Sequence, residues 1–258
     1  FLSLYHALQK GGARTDPGAI ARAAILRALR PLATLEDQPL FEAALGHREA
    51  TGASGEGLGT YRAAALIALD AVAPGVSVLC AVGLLTEYEA KFDPDREGSG
   101  EPALTAVRVL AANDQLPLVL GLLSSQQSPL VRAECLRSLI TLDPRFLTAA
   151  IEAELDRSDP TVLLGVYDLL IGSPETTIFA PFLHEALRSA PDADLYRYLA
   201  TDVVASRKPA LLAVLHAAAR LETRPAHLAA AVEALQFDRS PESLELLALL
   251  QDRLRRLA

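Results

Sequence analysis

The chain has 258 residues and a formal net charge of −8 at pH 7, and it is long enough to bury a sizeable apolar core. Hydrophobic residues make up 51% of the sequence, but aromatic residues only 5%, and there is no Trp. This composition, rich in Ala and Leu, favours closely packed helices over an aromatic-rich β-sandwich. The acidic balance argues against nucleic acid as a partner, because such binding relies on many Lys and Arg contacts to phosphate.

The predicted helices begin where Pro, Asp, Ser or Gly precede an apolar stretch, which is the placement of helix N-caps and first turns. Pro129, Pro160 and Pro191 mark three such starts at intervals of 31 residues. The apolar residues that follow have helical spacing. The pattern predicts the second helices of seven hairpins, over 16–33, 59–73, 101–112, 129–141, 160–171, 192–206 and 225–236. Apolar segments that can form partner helices lie at 116–123, 146–155, 178–187 and 211–221.

A last helix is predicted over 240–257. It begins at Ser240 with Glu242 in its first turn and ends near Arg255 and Arg256, so that both ends complement the helix dipole. Its polar side would face water, and we expect it to close the structure as a cap.

One eight-residue tract recurs along the chain with the same polar, small and large positions, at Arg22–Leu29, Arg62–Leu69 and Arg132–Leu139. Self-similarity at a short period indicates stacked supersecondary units, because one hairpin cannot cover its own apolar face. We therefore predict an all-α fold, an α-solenoid of about seven antiparallel helix hairpins with a C-terminal capping helix. It would form a single domain over 1–258.

Three stretches carry a resemblance to a known family: Asp16-Pro17 with Arg22, Tyr61-Arg62-Ala63-Ala64, and Ser128-Pro129 with Arg132. They resemble the Asp-Pro-x-Val-Arg-x-x-Ala pattern of HEAT-repeat proteins of the armadillo-type superhelix class. The sequence pattern is similar to that of short bacterial HEAT repeats related to those of phycobilisome lyases. The resemblance implies a ladder of hydrogen bonds between repeats, in which Asp16 and Arg22 would be one rung and Glu56 with Arg62 a near match. Later repeats depart from that pattern.

The segment 87–101 is rich in acidic residues and is predicted to be a long loop that interrupts the repeats. Asp93, Asp95 and Glu97 stand at positions 1, 3 and 5 of a possible calcium loop, with Gly98 at position 6. Position 12 falls on Leu104, where a bidentate Glu is required. These three acids are a weak metal candidate, and a solvated acidic loop used for docking is the favoured alternative.

Histidines and glycines give no clear site. The five histidines have no partner at metal-ligand spacing, and we expect them at the surface or between helices: His6, His47, His184, His216 and His227. A group of glycines precedes a predicted helix, and a flexible turn there is favoured over phosphate binding: Gly52, Gly55, Gly57 and Gly59.

A cluster of tyrosine and charged residues falls on two successive second helices and is the candidate for binding a partner: Tyr167, Asp168, Tyr196, Arg197, Tyr198 and Asp202. Tyr and Arg are frequent anchors of protein interfaces. In the resembled family second helices line the concave surface, so these side chains would share a groove. The alternative is that the tyrosines fill gaps between helices.

Other features of the sequence predict a cytoplasmic protein away from membranes. Cys80 and Cys135 lie in apolar helical tracts and are expected to be buried free thiols in a reducing compartment. No hydrophobic run approaches the roughly 18 residues needed to span a bilayer, and the start lacks the marks of a signal peptide. The absence of Met leads us to expect further residues before Phe1.

The sequence contains no catalytic, cofactor or nucleotide motif, so we expect no enzyme and no cofactor. The leading hypothesis is a non-enzymatic scaffold or adaptor that binds an unidentified protein through the solenoid surface, an analogy at the level of the fold. The alternative is a HEAT-fold enzyme, DNA glycosylase-like or lyase-like. A DNA-acting enzyme would need a basic groove and stacking aromatic residues, which the acidic, Trp-free sequence does not suggest.

Overall fold

The computed structural model describes residues 1–48, 55–93, 98–126, 128–157 and 159–257. Within these ranges the chain forms 15 α-helices and no β-strand, which confirms the predicted all-α class. The chain divides into two compact units, Phe1–Ser138 and Leu139–Ala258. The single domain and the solenoid of about seven hairpins remain predictions.

The first unit holds eight helices among its described residues: α1 (Leu2–Gly11), α2 (Ile20–Leu29), α3 (Gln38–Leu45), α4 (Gly55–Val72), α5 (Pro74–Glu89), α6 (Ala103–Ala112), α7 (Leu116–Ser125) and α8 (Pro129–Ser138). The even-numbered helices α2, α4, α6 and α8 pack against one another in that order. Helices α3, α5 and α7 each contact an even-numbered neighbour in the chain. The arrangement is that of a helical repeat, in which each helix buries one face against the next repeat.

The recurring tract lies in α2, α4 and α8, and its repeated positions are repeated buried positions. Ala23, Ala63 and Ala133 are all buried, and so are the residues two and three places further on: Ile25, Leu26, Ala65, Leu66, Cys135 and Leu136. Small Ala side chains allow the backbones of neighbouring helices to approach closely, while Leu fills the space between them. The sequence repeat is therefore a repeat of one buried helix face.

The second unit holds seven helices among its described residues: α9 (Thr148–Arg157), α10 (Pro160–Gly172), α11 (Thr176–Ser189), α12 (Ala193–Ser206), α13 (Pro209–Leu221), α14 (Pro225–Leu235) and α15 (Pro241–Leu257). Helices α10, α12 and α14 pack side by side, and α9, α11, α13 and α15 contact one another in the same alternating way. The unit thus has an even layer and an odd layer of helices.

Every second helix predicted from the sequence is present. The predicted stretches overlap α2, α4, α6, α8, α10, α12 and α14 in order, although α4 begins four residues before its stretch, and the predicted last helix overlaps α15. Two N-caps illustrate why the helix starts could be predicted. The Asp159 carboxylate accepts hydrogen bonds from the backbone N–H groups of Thr161 and Val162, and Asp192 caps α12 in the same way.

The Asp16–Arg22 pair of the ladder implied by the resemblance forms, and the ladder as a whole stays a prediction. The Asp16 carboxylate accepts hydrogen bonds from the Arg22 side chain, with Nε to Oδ2 at 3.0 Å, and from the backbone N–H groups of Ala21 and Arg22. The pair caps the first turn of α2, and Arg22 Nη1 also donates to Gln9 Oε1 on α1 at 3.4 Å and lies 3.3 Å from His47 Nε2. Arg62 hydrogen-bonds to Glu87 and to the Leu45 carbonyl oxygen. The side chain of Glu56, its expected partner, lies outside the described residues.

The acidic segment is also less loop-like than expected, because Glu87 and Glu89 belong to the end of α5. Glu87 accepts hydrogen bonds from Arg62 at 2.7 Å, Arg48 at 2.9 Å and Lys91 at 2.7 Å. These bonds, the strongest from Arg62, hold the pKa of Glu87 well below its usual value, although burial opposes them. Glu87 thus joins α5 to α4 and to the chain that follows α3.

The predicted flexible glycine turn is wrong at Gly55, Gly57 and Gly59, because α4 begins at Gly55 and contains all three. A Cβ atom on Gly57 would lie 2.3 Å from the carbonyl oxygen of Gly18, whose φ is +68°. Glycine at 57 therefore allows two backbones to touch, a role in packing. Gly52 lies outside the described residues.

We expect Gly57→Ala to destabilise the protein by about 1–3 kcal/mol, because the added methyl group would meet backbone atoms that cannot move aside. Gly83→Ala is the matched control: it lies in α5 with no atom within 4 Å of the added Cβ, and it should be neutral or stabilising by up to about 1 kcal/mol. Urea unfolding followed by circular dichroism measures both. Equal effects of the two substitutions would contradict the proposed contact.

We expect Glu87→Gln to lower the free energy of unfolding by about 1–3 kcal/mol at pH 7. Since the folded-state pKa lies below the ordinary 4.5, the carboxylate stabilises the fold fully above pH 4.5 and loses that effect as the pH falls. The difference between wild type and variant should therefore shrink in acid. Urea unfolding at pH 7 and pH 3 tests this, with Glu152→Gln on the exposed side of α9 as control; a difference that is constant with pH would refute it.

Candidate functional site

The candidate residues on α10 and α12 do not share one surface. Tyr167 and Tyr196 are each only 1% exposed, whereas Tyr198 is 37% exposed. Successive residues of a helix point about 100° apart, so Tyr196 and Tyr198 necessarily occupy different faces of α12. The prediction of a groove lined by all six residues is therefore wrong for Tyr167 and Tyr196, which fill the space between helices as the alternative expected.

Three of the other four residues, Asp168, Tyr198 and Asp202, come together on the even layer. The Tyr198 hydroxyl on α12 donates a hydrogen bond to Asp168 Oδ1 on α10 at 2.7 Å, and it also interacts with the carboxyl of Asp202 one turn along α12. A phenol has one proton and donates to one carboxylate at a time. Two carboxyl groups on neighbouring helices thus interact with the same hydroxyl.

Arg197 extends this arrangement to the next helix. Its Nε donates to Glu233 Oε2 on α14 at 2.7 Å, and the guanidinium also pairs with Asp194 on the preceding turn of α12. The sequence analysis missed Asp194 and Glu233. The spacing of three residues between Asp194 and Arg197 is a usable signal, but the approach of α14 to α12 is a tertiary contact that no local pattern reveals.

We call this surface the acidic face and define it by Asp168, Asp194, Arg197, Tyr198, Asp202 and Glu233. It carries four carboxyl groups and one guanidinium, which already pairs with two of the four. Burial raises the pKa of Asp202; the Tyr198 hydroxyl opposes that rise, and the nearby Asp168 charge adds to it. Burial and the two carboxylates also raise the pKa of Tyr198, which stays protonated. The acidic face is suited to accept hydrogen bonds and positive charge.

A second arrangement has the residue types of a hydrolase site. His216 Nε2 and Asp238 Oδ2 both lie 2.6 Å from the hydroxyl oxygen of Ser243. Since a carboxylate only accepts, Ser243 donates to Asp238 and accepts from His216, so the histidine cannot act as base for this serine. Ser243 is also fully buried. The three residues anchor α15 to α13, in agreement with the helix-packing role predicted for His216.

Other candidates find no support as sites. Within the described part of the chain, no three His, Cys, Asp or Glu side chains are grouped so that they could hold a metal ion. Asp93 is described, but Asp95 and Glu97 lie outside the described residues, so the calcium loop remains an untested prediction. Cys80 and Cys135 are free thiols, Cys135 buried and Cys80 half-buried, and burial raises the pKa of Cys135 to about 12. None of the described helices has the length and apolar character to cross a membrane.

No protein-family model, no curated protein and no solved structure matches this chain. The function must therefore be argued from the geometry of its own residues.

We expect Tyr198→Phe to raise the pKa of Asp202 further, because the lost hydroxyl hydrogen bond is what opposes the effects of burial and of Asp168. Global stability should change by less than about 1 kcal/mol at this partly exposed position. NMR titration of the carboxyl carbons measures the pKa directly. Tyr88→Phe, in the first unit, serves as control, and an unchanged Asp202 titration in Tyr198→Phe would show that the hydroxyl does not interact with Asp202.

Proposed function

We propose that the chain is a non-enzymatic, HEAT-like helical scaffold that binds a basic segment of a partner protein on the acidic face. The observation that carries the proposal is the pair of side-chain links across α10, α12 and α14, from Tyr198 to Asp168 and from Arg197 to Glu233. These links orient half-buried and exposed carboxyl groups of three successive helices before any partner arrives. Preorganised groups lose less conformational entropy on binding.

Charge complementarity selects the partner. Asp168 and Asp202 both interact with the Tyr198 hydroxyl, so a Lys or Arg side chain placed near them would add positive charge and further hydrogen bonds. Tyr198 lies beside both carboxyl groups and offers a partly exposed ring for contact with the stem or the guanidinium of such a side chain. A phosphate backbone would instead meet like charge, which disfavours the alternative of a DNA-acting enzyme.

The binding experiment uses three labelled peptides of equal length: one rich in Lys and Arg, one neutral and one acidic. We expect only the basic peptide to bind, with an affinity that falls as salt rises from 0.05 to 0.5 M, since partly exposed charges are screened over about 4–14 Å in that range. Tight binding of the neutral or acidic peptide, or of duplex DNA, would contradict the proposal.

Variants locate the binding site. The double variant Asp168→Asn, Asp202→Asn should lower the affinity for the basic peptide about fivefold to tenfold, because two charge contacts are lost. Glu152→Gln, on the exposed side of α9, removes a similar charge outside the acidic face and should have no such effect. If both changes weaken binding equally, the interaction reflects net charge and no specific surface.

Binding should also depend on pH. Because the folded-state pKa of Asp202 lies above the ordinary 3.8, acidification neutralises this carboxyl before an ordinary aspartate, and the affinity for the basic peptide should decline as that pKa is approached. In Asp202→Asn this early part of the decline should disappear. Fluorescence anisotropy between pH 7.5 and pH 4 measures it, and identical pH profiles for the two proteins would contradict the assigned role of Asp202.

A further inference from the structure

The second unit contains a small cavity on the other side of α12 from the acidic face. It has a volume of about 230 Å³, enough for several water molecules or one small organic molecule. Residues of α11, α12, α13 and the chain between α13 and α14 line it: His184, Leu187, Arg188, Tyr196, Ala218, Leu221, Glu222, Thr223 and Arg224. We call it the Tyr196 pocket.

Tyr196 is the unusual member of the lining. Its side chain is 1% exposed, yet its hydroxyl has no hydrogen-bond partner among the described residues. Leaving a buried hydroxyl without a partner is costly, and native structures rarely do so without a reason. Burial and the nearby Glu222 raise the pKa of Tyr196, so the hydroxyl is protonated and can donate. A bound group that accepts a hydrogen bond would satisfy it.

The packing around Tyr196 holds the ring in place. The His227 ring lies edge-on to it, with ring centroids 5.0 Å apart, and His227 Nε2 lies 3.3 Å from the Ala190 carbonyl oxygen. Since a carbonyl only accepts, Nε2 carries the proton, and His227 is anchored to the end of α11. The Tyr196 side chain is therefore fixed in the lining of the pocket, and its buried hydroxyl has no partner among the described residues.

The charged residues of the lining differ in how much of their hydrogen-bonding capacity is already satisfied by the protein. Arg224 donates to the Glu222 carboxylate and to the backbone carbonyl oxygens of Leu187, Arg188 and Ala190. Its bonds, together with backbone N–H groups, lower the pKa of Glu222 to about 2 despite burial, so Glu222 is an ionised but fully engaged carboxylate. These two lining residues form an ion pair and neutralise each other.

Arg188 is the cation that remains available. It is 69% exposed, and its hydrogen bonds to Glu185 use the N–H groups of Nε and Nη2, two of the five donors of a guanidinium. On the apolar side, Leu187 and Ala218 join Leu221, a leucine that is 75% exposed. The pocket thus combines a buried donor, a cation with spare donors and an apolar wall.

We propose that the Tyr196 pocket binds a small monocarboxylate with a short apolar chain. One carboxylate oxygen accepts the hydrogen bond of the Tyr196 hydroxyl, the charge pairs with Arg188, and the chain lies against Leu187, Ala218 and Leu221. The inference is independent of the acidic face, because none of the residues that define that face lines the pocket.

Hexanoate is the probe, with 1-hexanol and hexylammonium as matched controls that keep the chain and change the head group. We expect hexanoate to bind with a Kd of about 1 mM or below, as a ligand of this size allows, and at least about tenfold more tightly than 1-hexanol. Hexylammonium should not bind. NMR titration of the full chain should shift the amide signals of Thr223 and Arg224. Equal binding of the three probes, or no binding of hexanoate at 10 mM, would overturn the proposal.

Two variants test the assigned contacts. Tyr196→Phe should lower the affinity for hexanoate by about tenfold or more, because a hydrogen bond to a charged group is lost. Arg188→Gln should remove the preference for hexanoate over 1-hexanol and leave 1-hexanol binding unchanged.

Thermal stability distinguishes a ligand-binding hydroxyl from a structural one. Tyr196→Phe without ligand should keep or raise the Tm, because it removes a buried donor that has no partner. Tyr61→Phe is the matched contrast: the Tyr5 and Tyr61 hydroxyls lie 2.5 Å apart in the buried core of the first unit, and breaking that bond should lower the Tm by about 2–4 °C. If Tyr196→Phe lowers the Tm as much as Tyr61→Phe, the hydroxyl serves the fold and the proposal fails.

Discussion

The contact between alternate helices is the constraint on which this structure depends, because one hairpin of the chain leaves an apolar face uncovered. In the first unit that contact runs through α2, α4, α6 and α8, and in the second through α10, α12 and α14. Alanine at the repeated buried positions keeps the helix axes close. Close packing also brings side chains of neighbouring helices within hydrogen-bond reach, which is how the acidic face and the Tyr196 pocket arise.

The two surfaces of α12 show how one helix can serve two different purposes. Tyr198 and Arg197 point toward the neighbouring even helices and water, where they orient carboxyl groups. Tyr196 is buried between helices, and its side chain lines a cavity. The residues of the acidic face lie on helices, so its geometry is held by helix packing, whereas the Tyr196 pocket also includes residues of the chain between α13 and α14.

The parts of the fold that the sequence predicted are those governed by local rules. Asp159 and Asp192 predict helix starts because their carboxylates cap backbone N–H groups two and three residues further along the chain. The glycines before Tyr61 were predicted to form a flexible turn, because a flexible turn and a close backbone contact both require glycine. Only the position of Gly18 in space distinguishes the two roles. The prediction for the tyrosine cluster was only partly correct for a related reason. The sequence places Tyr196 and Tyr198 on one helix, but the residues that bury Tyr196 come from distant parts of the chain.

The contact between Gly18 and Gly57 also limits how this sequence can change over time. Most core positions tolerate substitution, since a neighbour can shrink when one side chain grows. Here both partners are main chain, and no compensating change elsewhere can make room for a Cβ atom 2.3 Å from a carbonyl oxygen. Diverged descendants of this protein that retain the fold should therefore keep glycine at position 57 even where the surrounding alanines and leucines have been exchanged.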